Sequence, residues 1–317
     1  MPSASSNPDL KDLLVIVGPT AVGKTALSLT LAQDFQGEII SGDSMQVYRY
    51  MDIGTAKATT EERKSVPHHL IDLVDPDYPF SVEEFQRLAR EKIIEIQSRG
   101  KLPMLVGGTG LYIQAVTHGY RLPGVKEDPE FRREMHRLAD EKGNQFLHKR
   151  LQEVDPMTAD RLHPNDRRRI IRALEIYQKT GEPLSKGQTY DPPPYRMLWI
   201  GLTMPREQLY ERVNDRVDQM MKEGLLDEVE ALRRMGYDKD SVSMQALGYK
   251  ELLSHLNGEI SLEEAVHLIK RRTRKFAKRQ LSWFRRLPEI HWFDVTFEHS
   301  QKEIRRFVAG NFPRYQE

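Results

Sequence analysis

Residues 18–25 read Gly18-Pro19-Thr20-Ala21-Val22-Gly23-Lys24-Thr25 and fit G-x-x-x-x-G-K-[ST], a stretch that limits the fold more than any other. Glycines let the loop curl until successive backbone N–H groups face one anion, and the following helix adds the positive end of its dipole. All eight residues are therefore candidates for a diphosphate site, with Lys24 reaching terminal phosphate oxygens and Thr25 holding Mg²⁺. The bare pattern arises by chance in about one chain in a hundred of this length, so its surroundings decide. The apolar run Leu13–Val17 leads straight into Gly18, and Lys24–Gln33 carries Leu27 and Leu31 four apart. Strand, phosphate loop and helix in that order point to a parallel sheet covered by helices.

The same alternation continues to about residue 120. Glu38–Ser41 reads as a second strand. Ser81 with Glu84 makes a capping-box pattern that opens a helix through Ser98, with Gly100 at its end. Leu102–Val106 is a third strand. Past Leu122 the strand signals stop. Asp128-Pro129, Asp155-Pro156 and Asp166 each start a helix, the last with Asp166 as its cap, and Gly143 and Gly181 end two of them. A Pro-rich stretch, Asp191–Tyr195, precedes a strand at Met197–Thr203. Helices follow over Arg206–Met235 (interrupted near Gly224) and Ser261–Arg286, then a short strand at Trp292–Val295 and a terminal helix from Gln301. The expected fold is α/β: a P-loop parallel-sheet core formed by residues 1–122 and 190–317, with an all-helical insertion domain over 123–189.

In most P-loop nucleoside triphosphatases an acid at the end of a strand helps to hold Mg²⁺. Leu102–Val106 ends instead in Gly107-Gly108-Thr109-Gly110. The acids at hand are Asp43, just past the second strand, and Asp72 or Asp75. That departure weakens the case for triphosphate hydrolysis and leaves room for another pyrophosphate group. Residues just past a parallel strand face the ligand crevice, so Asp43 belongs beside the cradle, as a metal ligand or as a base for an incoming nucleophile. Its local alternative is to cap the next turn. Thr109 lies at the same edge and can bond a phosphate or an acceptor base, or serve only as a turn hydroxyl. His68-His69 is not expected to bind zinc, because neighbours on an extended segment point to opposite faces.

Charge speaks to the partner. The formal net charge is +1, but residues 1–120 hold 11 basic and 15 acidic side chains, and the remainder hold 37 and 32. Lys270–Arg286 contains nine basic residues and no acid, interleaved with Phe276, Trp283 and Phe284. Such a helix can neutralise backbone phosphates and offer stacking faces. Arg167-Arg168-Arg169 with Arg172 opens a helix whose dipole they oppose, which calls for an anionic partner. The chain has no Cys, which excludes disulfides, thiolate metal sites and a Cys nucleophile. No apolar run is long enough for a signal peptide or a membrane span, so a cytoplasmic protein without a membrane partner is expected.

These residues resemble the tRNA dimethylallyltransferases, also called tRNA isopentenyltransferases. The likeness rests on Gly18–Thr25, Asp43–Tyr48 with Met51–Lys57, Pro67–Leu70, Gly107–Tyr112, His163–Asp166, Gly248-Tyr249 and Lys278–Gln280, in order along nearly the whole chain. One departure is Ala58, where Pro often follows the Gly-Thr-Ala-Lys stretch. The resemblance implies transfer of a dimethylallyl group from dimethylallyl diphosphate to N6 of the adenosine 3′ of the anticodon, in the anticodon stem-loop of a tRNA. It implies Asp43 as general base, Thr109 as an acceptor contact, and Arg216 beside the P-loop diphosphate site. It implies tRNA contacts by Asp43, Ser44, Met45 and Gln46; by Arg167, Arg168, Arg169, Ile170 and Ile171; by Gln245, Ala246, Leu247, Gly248, Tyr249 and Lys250; and by Lys278, Arg279, Gln280, Leu281, Ser282, Trp283, Phe284 and Arg285. Mg²⁺ is the expected cofactor and a monomer the expected state. The competing readings are a P-loop kinase of a nucleotide or small metabolite, a non-catalytic RNA-binding protein, and an enzyme that prenylates free adenine nucleotides.

Overall fold

The computed structural model describes residues 11–122, 124–187 and 195–316. Six strands, β1 (Lys11–Val17), β2 (Gly37–Ser41), β3 (His68–His69), β4 (Leu102–Gly107), β5 (Tyr195–Thr203) and β6 (His291–Asp294), form one sheet in the order β3-β2-β4-β1-β5-β6. Every pairing is parallel. β1 is central, and Leu13 to Val17 are each 0% exposed. Its period-2 alternation divides these residues between two helical layers. Leu14 and Ile16 pack with Leu27, Leu31 and Phe35 of the Lys24–Asp34 helix and the turn after it. Leu13, Val15 and Val17 pack with Phe85, Ala89, Ile93 and Ile96 of the Val82–Ser98 helix. Ser81 accepts from the Glu84 N–H at that helix start, whereas the Glu84 carboxylate goes to the Tyr78 hydroxyl.

Register places the functional loops at one edge. Val17 stands opposite both Gly107 and Gly201, and Ser41 opposite Val106. The segments after β1, β2 and β4 therefore leave the sheet together, at the strand ends where ligands of open α/β sheets bind. A further apolar layer joins Val47, Tyr48 and Met51 to the helices Arg206–Lys222, Leu225–Arg234, Tyr249–Leu256 and Leu262–Phe284. Helices Thr60–Ser65, Gly110–Thr117 and Tyr249–Leu256 and the two-residue β3 were not anticipated; each is short, and short elements carry little periodicity.

Contacts divide the chain into two units, Met1–Thr117 with Pro194–Glu317, and His118–Pro193. In the second, helices Pro129–Lys142, Asn144–Val154, Pro156–Arg161 and Arg167–Thr180 bury Met135, Leu147, Leu151 and Ile170. Asp128 and Asp155 accept from the Phe131 and Thr158 N–H groups as expected of caps. Asp166 makes no such bond and pairs with Arg169 at 3.2 Å instead. Residues Asp191–Pro194 of the Pro-rich stretch lie outside the described residues. Among those described, no helix is long and apolar enough to cross a membrane.

Candidate active site

The P-loop joins β1 to the Lys24–Asp34 helix through Ala21 and Gly23, both left-handed at φ +66° and +103°. No side chain caps the helix's N-terminus and its first turn holds no acid, so its amides and dipole are left for an anion. Gly18 packs under Leu202, where a Cβ would come 2.8 Å from the Leu202 carbonyl oxygen. Lys24 donates to the Gly18 and Pro19 carbonyls at 3.0 and 2.7 Å. Burial, and then the nearby Arg216 guanidinium, lower its ammonium pKa to about 7, against the opposing pull of Asp43. Burial likewise lowers the pKa of Arg216 from its usual value.

Two cavities meet above this floor. One, of about 490 Å³, is lined by Lys24, Thr25, Asp43, Arg212, Arg216 and Gln280, among others. The other, of about 330 Å³, is lined by Ser44, Thr109, Val217, Met220, Ala246 and Lys250, among others. Thr20, Asp43, Thr55, Arg216 and Phe276 line both. Asp43 thus sits at the junction, as its place past β2 predicts. One of its oxygens also accepts from the Met45 N–H at 2.8 Å, so the local turn role is filled by the same carboxylate. The Thr109 hydroxyl accepts from the Ser44 N–H at 3.2 Å, tying the loops after β4 and β2. The two other acids considered are committed elsewhere. Asp72 pairs with Lys57 and Arg63, each at 2.6 Å, and Asp75 with Arg49 at 3.0 Å. His69 bonds Glu38 at 2.7 Å and His68 the Val66 carbonyl at 2.8 Å.

Sequence reasoning missed one residue here and gave a second, Gln280, only as a tRNA contact. Arg212 lines the first cavity one helical turn before Arg216, and the i, i+4 spacing was the available signal. Gln280, which the resemblance implies as a tRNA contact, is 6% exposed. Its side-chain oxygen accepts from the Thr20 N–H at 2.8 Å and its amide donates to the Gly108 carbonyl at 3.0 Å. One buried amide therefore clamps the phosphate loop to the glycine turn, and a Cβ at Gly108 would collide with it. Gln280→Leu strands both backbone groups, each worth about 1–3 kcal/mol when left unpaired. The expected result is a lower urea midpoint at unchanged m-value; a wild-type midpoint would show that neither bond contributes.

The basic tracts need correcting in detail. Lys270 pairs with Asp218 at 2.6 Å, Arg272 with Glu251 at 2.5 Å, and Arg274 donates to Asn214 at 2.5 Å. Arg271, Lys275, Lys278, Arg279, Arg285 and Arg286 are exposed and form no ion pair among the described residues. In the second unit Arg167 pairs with Asp140 at 2.8 Å, Arg169 with Asp166, and Arg172 with the buried Glu175. Internal carboxylates thus supply much of the reason for that cluster, and Arg168 alone of the four is both exposed and without such a pair. Ile170, Ile171, Gly248, Tyr249 and Phe284 are interior. Tyr249 donates its hydroxyl to Glu228 at 2.6 Å. All five therefore present little exposed surface, although Gly248 lines the second cavity.

Comparison with known proteins identifies the family. Residues 46–287 match the model of the IPP transferase family. The tRNA dimethylallyltransferase of Carboxydothermus hydrogenoformans is 54% identical over 301 residues, 94% of this chain and 96% of that protein. That of Bacillus licheniformis is 53% identical over 308 residues, with 94% and 96% covered. The crystal structure of the full-length tRNA isopentenylpyrophosphate transferase from Bacillus halodurans superposes with a TM-score of 0.72 at 50% identity, covering 96% of this chain and 98% of that one. A eukaryotic dimethylallyltransferase acting on tRNA gives 0.79 at 32% identity, covering 95% and 79%. With a family model spanning most of its length and relatives above 50% identity end to end, this chain belongs to the tRNA dimethylallyltransferase (IPP transferase) family.

Proposed function

We propose that the chain transfers a dimethylallyl group from dimethylallyl diphosphate to N6 of the adenosine 3′-adjacent to a tRNA anticodon, releasing diphosphate. The observation that carries this reading is the junction: one carboxylate, Asp43, lines both a P-loop cavity and a second cavity bordered by Thr109 and Lys250. The first holds the diphosphate against the loop amides, Lys24, Arg212 and Arg216. The second admits the acceptor base, which must leave the stacked anticodon loop to reach N6. The exocyclic amine is a poor nucleophile; Asp43 orients it and takes its proton as the C–N bond forms. The C–O bond to diphosphate breaks, and the cationic floor stabilises the charge left on the leaving group. No phosphoryl group moves, consistent with the glycine turn where a Walker-B acid would stand.

The residues suit Mg²⁺. Thr25 and Asp43 both line the first cavity, and their side chains are hard oxygen donors of the kind Mg²⁺ takes. Among the described residues no group of three His, Cys, Asp or Glu forms a metal site, so Thr25 and Asp43 are the residues that would hold the ion. When bound, the ion neutralises charge on the departing diphosphate.

The exposed members of the basic helix, together with Arg168 of the insertion unit, meet RNA phosphates in this reading. Lys278→Ala should weaken tRNA binding and reduce the log K against log[salt] slope by about 0.7–0.9. An unchanged slope would remove that face from the interface. The function itself is tested by incubating the protein with labelled dimethylallyl diphosphate, Mg²⁺ and either unmodified tRNA or AMP. Label in tRNA alone is expected. Label in AMP alone would move the assignment to free nucleotides, and label in neither would refute it.

A further inference from the structure

We propose that Phe276 sets the prenyl chain length this site accepts. The inference deepens the reading above and rests on it. Five residues line both cavities, and Phe276 is the only one of them with a bulky apolar side chain. It projects from the Leu262–Phe284 helix between residues that serve the core. Ala277 packs under the sheet, Ile269 joins the helical layer, and Gln280 clamps the P-loop. Phe276 itself is only partly buried and belongs to none of the hydrophobic clusters of the core. The Arg279 guanidinium lies over its ring, 5.8 Å from the centroid. A phenyl ring left out of the core, at the neck between a cationic cavity and a cavity edged by Val213, Val217 and Met220, has a ligand-facing surface.

The chemistry locates that ligand. The new bond joins N6 of the acceptor to C1 of the prenyl group while the C1–O bond breaks. Diphosphate leaves with the electron pair and the N6 proton passes to Asp43. Because Asp43 and Phe276 each line both cavities, a C1 that reacts beside Asp43 directs the carbons beyond it, in this proposal, toward the Phe276 ring. A five-carbon chain ends at the ring; a ten-carbon chain would have to pass it. The residue thus discriminates by excluding length rather than by reading charge, since dimethylallyl and geranyl diphosphate carry the same head group.

The test compares kcat/KM for dimethylallyl and geranyl diphosphate on unmodified tRNA, in wild type, Phe276→Ala and Phe276→Leu. Wild type should strongly prefer the shorter donor. Phe276→Ala should raise the geranyl-to-dimethylallyl ratio by about 10–200-fold, the range over which hydrophobic pockets separate substrates by size, with Phe276→Leu between. A ratio within twofold of wild type in both variants, or a wild type that uses geranyl diphosphate equally well, would overturn the proposal. Binding of the unreactive thiolo-diphosphate analogues reads the same ratio without turnover, so a variant that folds but does not react still decides the question. A wild type inert to both donors while binding both would instead refute the transferase reading, and this inference with it.

Discussion

Asp43→Asn is expected to lower the rate of dimethylallyl transfer by about 10²–10⁴, the usual worth of a positioned base, while tRNA affinity stays within about threefold. Asn is the sharper probe than Ala. Its side-chain oxygen can still accept from the Met45 N–H, a bond of 2.8 Å in the native chain, so the turn after β2 keeps its shape. What it cannot do is take the N6 proton. Binding should survive because Asp43 is an anion at the neck of the cavities and contributes nothing to phosphate neutralisation. The pair of measurements is single-turnover rate and equilibrium tRNA binding on the same preparation. An equal loss in both would make Asp43 a binding group; a full rate in Asp43→Asn would remove it from the chemistry.

Lys24→Ala is expected to cost about 10²–10³ in rate, as loss of one preorganised donor to developing negative charge does, and to weaken dimethylallyl diphosphate binding. Wild type should also show a specific pH signature. With its pKa lowered to about 7 by burial and by Arg216, Lys24 in the free enzyme loses its proton as pH rises from 7 to 9. A bound diphosphate restores the ordinary preference for the charged form, so binding takes up a proton. Affinity must therefore fall with rising pH over that window, by at most about tenfold per unit. Arg does not deprotonate in this range, so Lys24→Arg should flatten the dependence. Calorimetry in buffers of different ionisation enthalpy reads the proton uptake directly; uptake equal in wild type and Lys24→Arg would contradict the assignment. The same lowered pKa fixes a stability sign. Between pH 7 and 10.5 the unfolded chain binds a proton that the folded chain does not, so this residue makes the apo-protein more stable as pH rises through that window.

Much of this was legible in the sequence because the relevant signals are local. The P-loop reads from eight consecutive residues, and β1 from an apolar run that must be covered on both faces. Asp43 follows from its position past β2, since parallel strands deliver their C-terminal residues to one edge. What could not be read depends on partners distant along the chain. Nine basic residues in Lys270–Arg286 resemble one continuous RNA-facing surface. Yet Lys270 and Arg272 spend their charge on Asp218 and Glu251, 52 and 21 residues away along the chain. Arg167 likewise finds Asp140, 27 residues away, whereas Arg169 and Arg172 pair with Asp166 and Glu175 one helical turn away. Gln280 carries no charge or periodicity to mark it, and its role appears only when Thr20 and Gly108 are brought to its two ends. Charge runs thus locate a face of the molecule, and ion-pair geometry decides which of its members are free to meet an RNA.

The central claim is that the two cavities meeting at Asp43 bring a prenyl diphosphate and a single flipped adenine together. Mass spectrometry of nuclease-digested tRNA, taken before and after incubation with dimethylallyl diphosphate, tests it most directly. The account predicts one five-carbon addition, on N6 of the adenosine 3′-adjacent to the anticodon and on no other nucleoside. Addition at another base or at ribose, or unmodified tRNA alongside phosphoryl transfer from ATP to a small acceptor, would contradict it.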